Sequence, residues 1–105
     1  MADSPRLWQL QEFLADSPDD PELRYAVAIE LLSLNATDGA MRSFHDLIAA
    51  QPEYVPTYLM LGQTLIRANR EDEAKSVLQS GVAAARKAGN THAEGEIQAL
   101  LDSLD

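Results

Sequence analysis

Residues 31–50 read LLSLNATDGAMRSFHDLIAA, and residues 65–84 read LIRANREDEAKSVLQSGVAA. Aligned at an interval of 34 residues, the two stretches share leucine, asparagine, aspartate and alanine at matching positions, and Phe44 falls on Leu78. Self-similarity at a fixed interval is typical of repeat architectures, in which each unit buries its apolar side against a neighbour. The sequence therefore predicts two tandem copies of one structural unit.

Each unit is predicted to be a pair of helices, because both copies are interrupted midway. The interruptions, residues 35–38 and 69–72, hold asparagine and aspartate, which favour turns and helix ends over helix interiors. On either side, apolar residues recur every three or four positions, as they do at Leu23, Val27 and Leu31. Strand-like alternation does not persist, so the expected fold class is all-α, with tandem antiparallel hairpins and about six helices.

Prolines place most of the helix ends. Ser4-Pro5 and Asp20-Pro21 each combine a capping side chain with a proline at the first helical position, and Pro56 opens a further helix. Pro18 and Pro52 end the helices before them. We expect one domain over residues 1–105, divided into an N-terminal helix over 4–16, a first repeat over 21–54, a second repeat over 55–88 and a C-terminal helix over 91–104.

Other helix ends and faces follow from local patterns. Thr37 or Asp38 is expected to cap the third helix, Gly89 to follow the end of the fifth, and Thr91 with Glu94 to form a capping box. In the first helix, the predicted buried stripe comprises Leu7, Leu10 and Leu14, widened by Trp8 and Phe13. The last helix carries Ile97, Leu100, Leu101 and Leu104 on one side, so we expect it to cover another helix.

Composition excludes several classes of function. The formal net charge is −9, with −5 in residues 1–22 and −4 in residues 89–105, which disfavours nucleic acids and anionic membrane surfaces as partners. The chain has no cysteine, which removes thiolate catalysis, and no apolar run long enough for a membrane span or the core of a signal peptide. The default expectation is a cytoplasmic protein.

No residue pattern indicates catalysis. His45 and His92 are the only histidines, and they lack the spacing with further ligands that a metal site needs. Acidic groups such as Glu71-Asp72-Glu73 stand at helix starts, where they interact favourably with the helix dipole. We therefore predict no enzyme, no catalytic residues, no metal and no cofactor.

The second unit carries Tyr58, Leu61-Gly62, Leu65, Ala74 and Leu78 at spacings that resemble the tetratricopeptide repeat. The first unit follows the same pattern with Ala28 and Ala40 at its small positions, where two helices approach closely. Departures are Arg24, Leu31 and Leu65 in place of aromatic residues, and Arg86 in place of the terminal proline. The resemblance covers residues 21–88 and implies a right-handed superhelix of stacked hairpins.

The resemblance also implies a function, since members of this family bind proteins or peptides on a concave surface lined by the first helix of each pair. The expected partner-binding residues are Glu22, Tyr25, Ile29, Leu32, Ser33, Pro56, Leu59, Gln63, Ile66 and Arg67. Family members that grip a partner's C-terminal carboxylate use lysine and asparagine there. This chain has Tyr25, Ile29, Leu59 and Gln63 instead, which argues against that clamp.

Three alternatives remain open at the level of sequence. The apolar strip of Tyr25, Ile29, Leu59 and Ile66 would be costly to leave in water, at about 25 cal/mol per Å² of apolar area. It could instead be covered by the first or last helix of the same chain. It could also close a homodimer, as could the apolar face of residues 97–104. A role as an assembly factor in a multiprotein complex differs only in the partner.

Overall fold

The computed structural model describes residues 4–105; residues 1–3, which belong to the predicted single domain, lie outside the described part. Within it, every regular element is a helix, which confirms the expected all-α class. The helices are α1 (Pro5–Asp16), α2 (Pro21–Ser33), α3 (Thr37–Ala50), α4 (Pro56–Arg67), α5 (Glu71–Lys87) and α6 (Thr91–Asp102).

Two predicted caps are present, and two are wrong. Ser4 and Asp20 cap α1 and α2 through their side chains, which accept hydrogen bonds from the first-turn amides. The N-cap of α3 is Ala36, without a side-chain bond, so neither Thr37 nor Asp38 caps it. At α6 the capping residue is Asn90, whose Oδ1 accepts from the Ala93 amide at 3.0 Å.

Three helices end in the same backbone motif. Asn35, Asn69 and Gly89 have φ angles of 62°, 60° and 69°, in the left-handed region that asparagine and glycine tolerate best. At each site the amide of the next residue bonds a carbonyl five positions earlier, for example Arg70 N to Leu65 O at 2.9 Å. This Schellman motif ends the helix and turns the chain back on itself. The 34-residue spacing of the two asparagines thus has a structural cause.

Each helix packs against the next along the chain, and α6 also contacts α4. The core has two adjoining parts, one around Phe44 and Leu61 and the other around Leu78 and Ile97. Close approach of the helices depends on two glycines of the second unit. A Cβ on Gly62 would lie 2.5 Å from Leu78 Cδ2, and a Cβ on Gly81 would lie 2.6 Å from Tyr58 Cβ.

The two outermost helices are partnered on one side only. In α1, Leu7 is buried, but the Trp8 and Phe13 side chains are 66% and 55% exposed, so the prediction that they widen the buried stripe is wrong. A helix bounded by only one neighbour can bury only one face. In α6, Ile97 is 1% exposed and packs near Gly81, so this helix covers α5 and α4 as predicted.

Candidate functional site

The candidate site is a cavity between α2, α4 and α6, the alternate helices of the chain. Its volume is about 260 Å³, and we call it the Tyr25–Leu59 cavity. Its lining comes from all three helices and the turns before α4 and α6: Tyr25, Val55, Pro56, Leu59, Met60, Asn90, His92, Ala93, Glu96 and Ile97. The hairpin geometry brings together side chains that are about 70 positions apart in the sequence.

Tyr25 forms the α2 wall of this cavity and is held in place by other aromatic rings. Its ring centroid lies 5.9 Å from that of Phe44 and 5.9 Å from that of Tyr54, and the rings are tilted in both pairs. Tilted and edge-on pairs at this distance are favourable because the ring edge is positive and the face negative. Phe44 is fully buried, so Tyr25 rests on the core and presents a fixed surface to the cavity.

The surroundings of Tyr25 are acidic. Asp20 and Glu22 stand at the start of α2, and Glu22 lies one turn before Tyr25 on the same helix face. Burial raises the pKa of Tyr54 above its ordinary value of 10.0, and Glu22, Tyr25 and Asp20 raise it further. Burial also raises the pKa of Tyr25. Both phenols therefore stay protonated and neutral at physiological pH.

On the opposite wall, α6 contributes a carboxylate and an imidazole. Glu96 Oε1 lies 3.2 Å from His92 Nε2, one helical turn away, and both residues line the cavity. The His92 side chain is 87% exposed and that of Glu96 50% exposed, so solvent screens this pair. The cavity therefore has an apolar floor and a polar edge at α6.

None of the predicted partner-binding residues is buried. Tyr25 and Leu59 meet in the cavity above, and Leu32 and Arg67 line a second one of about 400 Å³ near the α2–α3 turn. The half-buried members Ile29, Leu32 and Ile66 pack on the first core cluster, and Ile66 reaches both clusters. Gln63 is half-buried, whereas Glu22 and Ser33 are exposed, and Ser33 donates to the Glu30 carbonyl within its own helix at 2.8 Å.

Sequence reasoning missed the contribution of α6. Asn90, His92, Ala93 and Glu96 line the cavity, yet the last helix was expected only to cover its neighbours. The signal was available, because α4 and α6 are both 12 residues long and begin 35 positions apart, as α2 and α4 do. The last helix thus occupies the position that the first helix holds in the two units before it, and it forms a wall of the cavity.

Among residues 4–105, no group of three or more histidine, aspartate or glutamate side chains could hold a metal ion. Over the same range, none of the helices has the length and apolarity needed to cross a bilayer.

The comparisons with known proteins agree with this geometry. The family model described as tetratricopeptide repeat matches residues 31–101, about two thirds of the chain. The chain belongs to the tetratricopeptide repeat family. Members of this family generally mediate protein–protein interaction and are typically non-enzymatic scaffolds. Among curated proteins, none matches the sequence.

Solved structures give the same result. A tetratricopeptide repeat domain protein from Salinibacter ruber, solved by NMR in solution, is 33% identical with a TM-score of 0.81, covering 84% of this chain and 89% of that one. A crystal structure of such a protein from the same organism is also 33% identical, with a TM-score of 0.77, covering 81% and 96%. A protein from Bordetella parapertussis, at 24% identity, shares the fold with a TM-score of 0.79, covering 98% and 89%.

Proposed function

We propose that this tetratricopeptide repeat protein binds a peptide or helix of a partner protein on the face formed by α2, α4 and α6. The observation that carries the proposal is the Tyr25–Leu59 cavity, an apolar depression that three helices build together and that no other part of residues 4–105 fills. The predicted set from Glu22 to Arg67 lies along α2 and α4 beside it, and His92, Ala93 and Glu96 of α6 extend it.

The partner's contribution would be an apolar anchor. Binding energy in protein interfaces is concentrated in a few well-packed anchors, each with a truncation cost of about 2 kcal/mol or more. Tyr25 and Leu59 are suited to be the matching contacts on this chain, because both are half-buried, held by the core and open to the cavity. The remaining surface of α2 and α4 would then provide shape and polar complementarity.

Affinity capture from an extract of the source organism, read by mass spectrometry, tests the proposal. The wild type is compared with Tyr25→Ala/Leu59→Ala. Loss of one such contact corresponds to about thirtyfold in partner affinity, so we expect the double variant to lose at least that much. The matched control is Trp8→Ala/Phe13→Ala, which removes two apolar side chains on α1, outside the groove. Circular dichroism checks that each variant is folded.

The outcomes separate the possible surfaces. Proteins that are captured by the wild type and by the α1 variant, but not by the Tyr25/Leu59 variant, support binding at the Tyr25–Leu59 cavity. Capture that survives removal of Tyr25 and Leu59 would refute it. Capture lost only with Trp8 and Phe13 would move the binding surface to α1.

Self-association is a second candidate function, favoured by the exposure of Trp8 and Phe13 on a helix that packs on one side only. A two-fold dimer through this surface would bury both rings. A dimer through the apolar face of residues 97–104 is disfavoured. Ile97 is buried within the chain, and Leu100, Leu101 and Leu104 pack on the second core cluster. Sedimentation at high concentration, with the Trp8/Phe13 variant as control, decides whether a dimer forms.

A further inference from the structure

The size of the Tyr25–Leu59 cavity indicates what kind of group enters it. Its volume of about 260 Å³ is below the range of about 300–1,000 Å³ that is usual for small-molecule sites. The cavity is open at one side and mostly apolar, which suits one or two protruding side chains of a larger partner better than a free metabolite.

Carboxylates lie on two sides of the cavity. The two most acidic segments of the sequence, residues 1–22 and 89–105, are far apart in the chain, but Tyr25 near the start of α2 and four residues of α6 line this cavity together. Glu22 stands one turn before Tyr25, and Glu96 lines the opposite wall. A partner that approaches here encounters carboxylates on both sides.

Nothing in the described chain neutralises both carboxylates. Neither lysine nor arginine lines the cavity, and Glu22 forms no ion pair with any of residues 4–105. Glu96 pairs only with His92, whose side chain is 87% exposed, so solvent screens this pair. The second cavity differs, because Arg67 lines it.

We propose that the occupant of the Tyr25–Leu59 cavity is a basic amphipathic segment, with an apolar side chain in the cavity and flanking lysines or arginines facing Glu22 and Glu96. This inference rests on the proposed function and specifies the partner's chemistry. Complementary charge at the rim selects among partners and accelerates association, whereas the apolar anchor supplies most of the affinity. An acidic partner would meet the same apolar surface but would be repelled at both edges.

Two synthetic peptides of about 14 residues test the inference, a length at which an isolated helix is marginal in water but can fold on binding. Both carry leucine at helical spacing; one has lysine and the other glutamate at every remaining position. Binding is measured by calorimetry, and the contact surface is mapped by NMR chemical shifts of the amides. We expect the lysine peptide to shift the amides of Tyr25, Leu59 and Glu96 and to bind at least about tenfold more tightly.

Charge variants separate a rim effect from the overall charge of −9. Glu22→Gln/Glu96→Gln removes the carboxylate that lines the cavity and the one that stands a turn before Tyr25, and Glu12→Gln/Asp46→Asn removes two exposed carboxylates on α1 and α3. We expect the first pair to weaken lysine-peptide binding by about two- to fivefold per residue, and the second pair by much less. The difference should shrink between about 0.02 M and about 0.2 M salt.

The results distinguish failure of this inference from failure of the proposed function. Equal binding of both peptides at the groove would overturn the charge selectivity and leave the proposed function standing. Equal weakening by the two charge variants would show non-specific attraction and overturn the inference. If neither peptide shifts the groove amides, the inference fails, and the capture experiment above decides the proposed function separately.

Discussion

Two glycines provide opposite tests of how the helices pack. Gly81 lies in the middle of α5, and a Cβ there would approach Tyr58 Cβ to 2.6 Å, Tyr58 Cγ to 3.1 Å and Ile97 Cδ1 to 3.3 Å. Tyr58 Cβ is fixed to the α4 backbone and cannot rotate away, so Gly81→Ala must push α4 and α5 apart. Gly95 lies in the middle of α6, and a Cβ there would meet nothing within 4 Å.

The expected magnitudes follow from two opposing terms. Replacing glycine by alanine in a helix interior stabilises a protein by about 0.8–1 kcal/mol. Overpacking a tight core costs about 1–3 kcal/mol, and the upper end applies where the contact is a backbone-fixed atom. We therefore expect Gly81→Ala to lower the free energy of unfolding by about 2 kcal/mol, and Gly95→Ala to raise it by about 1 kcal/mol.

Urea denaturation followed by circular dichroism measures both variants. For a domain of this size, each kcal/mol corresponds to a change in Tm of about 4–8 °C, so thermal unfolding provides a second readout. A Gly81→Ala protein as stable as the wild type would refute the close approach of α4 and α5. A destabilised Gly95→Ala protein would show that the outer side of α6 is not open.

Three further changes probe the fold, each read by chemical denaturation. Thr57 is fully buried, and its hydroxyl has no hydrogen-bond partner among residues 4–105. Thr57→Val should therefore stabilise the protein by about 1 kcal/mol. A loss of stability would reveal a partner for the hydroxyl. Asn69→Ala should cost about 1 kcal/mol because alanine resists the positive φ, whereas Asn69→Gly should change little; equal losses would contradict the Schellman turn. The raised pKa of Tyr54 means that the unfolded chain loses this proton first as pH rises, so stability is full below about pH 10 and falls above it. Tyr54→Phe should reduce that fall between about pH 9 and about pH 11, and an unchanged pH profile would contradict the burial of this phenol.

Much of the fold could be predicted because its signals are local. The prolines at 5, 21 and 56 stand at the first position of α1, α2 and α4, and the two asparagines at the repeat breaks form the predicted turns.

The errors occurred where local pattern and tertiary context diverge. Trp8 and Phe13 widen an apolar pattern, but whether a face is covered depends on neighbours that the pattern does not contain. Asn90 caps α6 ahead of Thr91, and Glu94 pairs with Arg86 at 2.9 Å instead of closing a capping box.

The candidate site was harder to predict than the fold. The family pattern selected α2 and α4, whose Tyr25 and Leu59 line one cavity. It could not give the third wall, because α6 lacks the aromatic and Leu-Gly signature that α4 carries and is identified by its position after α5. It also could not reveal that Glu96, near the end of the sequence, lines the same cavity as Tyr25, since that depends on the stacking of the hairpins.

Site-specific photo-crosslinking tests most directly the claim that a partner binds between α2, α4 and α6. A photoreactive phenylalanine derivative is placed at Gln63, half-exposed on α4, and in a second protein at Trp8, exposed on α1. Illumination in an extract of the source organism should give a discrete adduct from position 63, identified by mass spectrometry, and none from position 8. Adducts from position 8 alone would contradict a binding surface on these three helices.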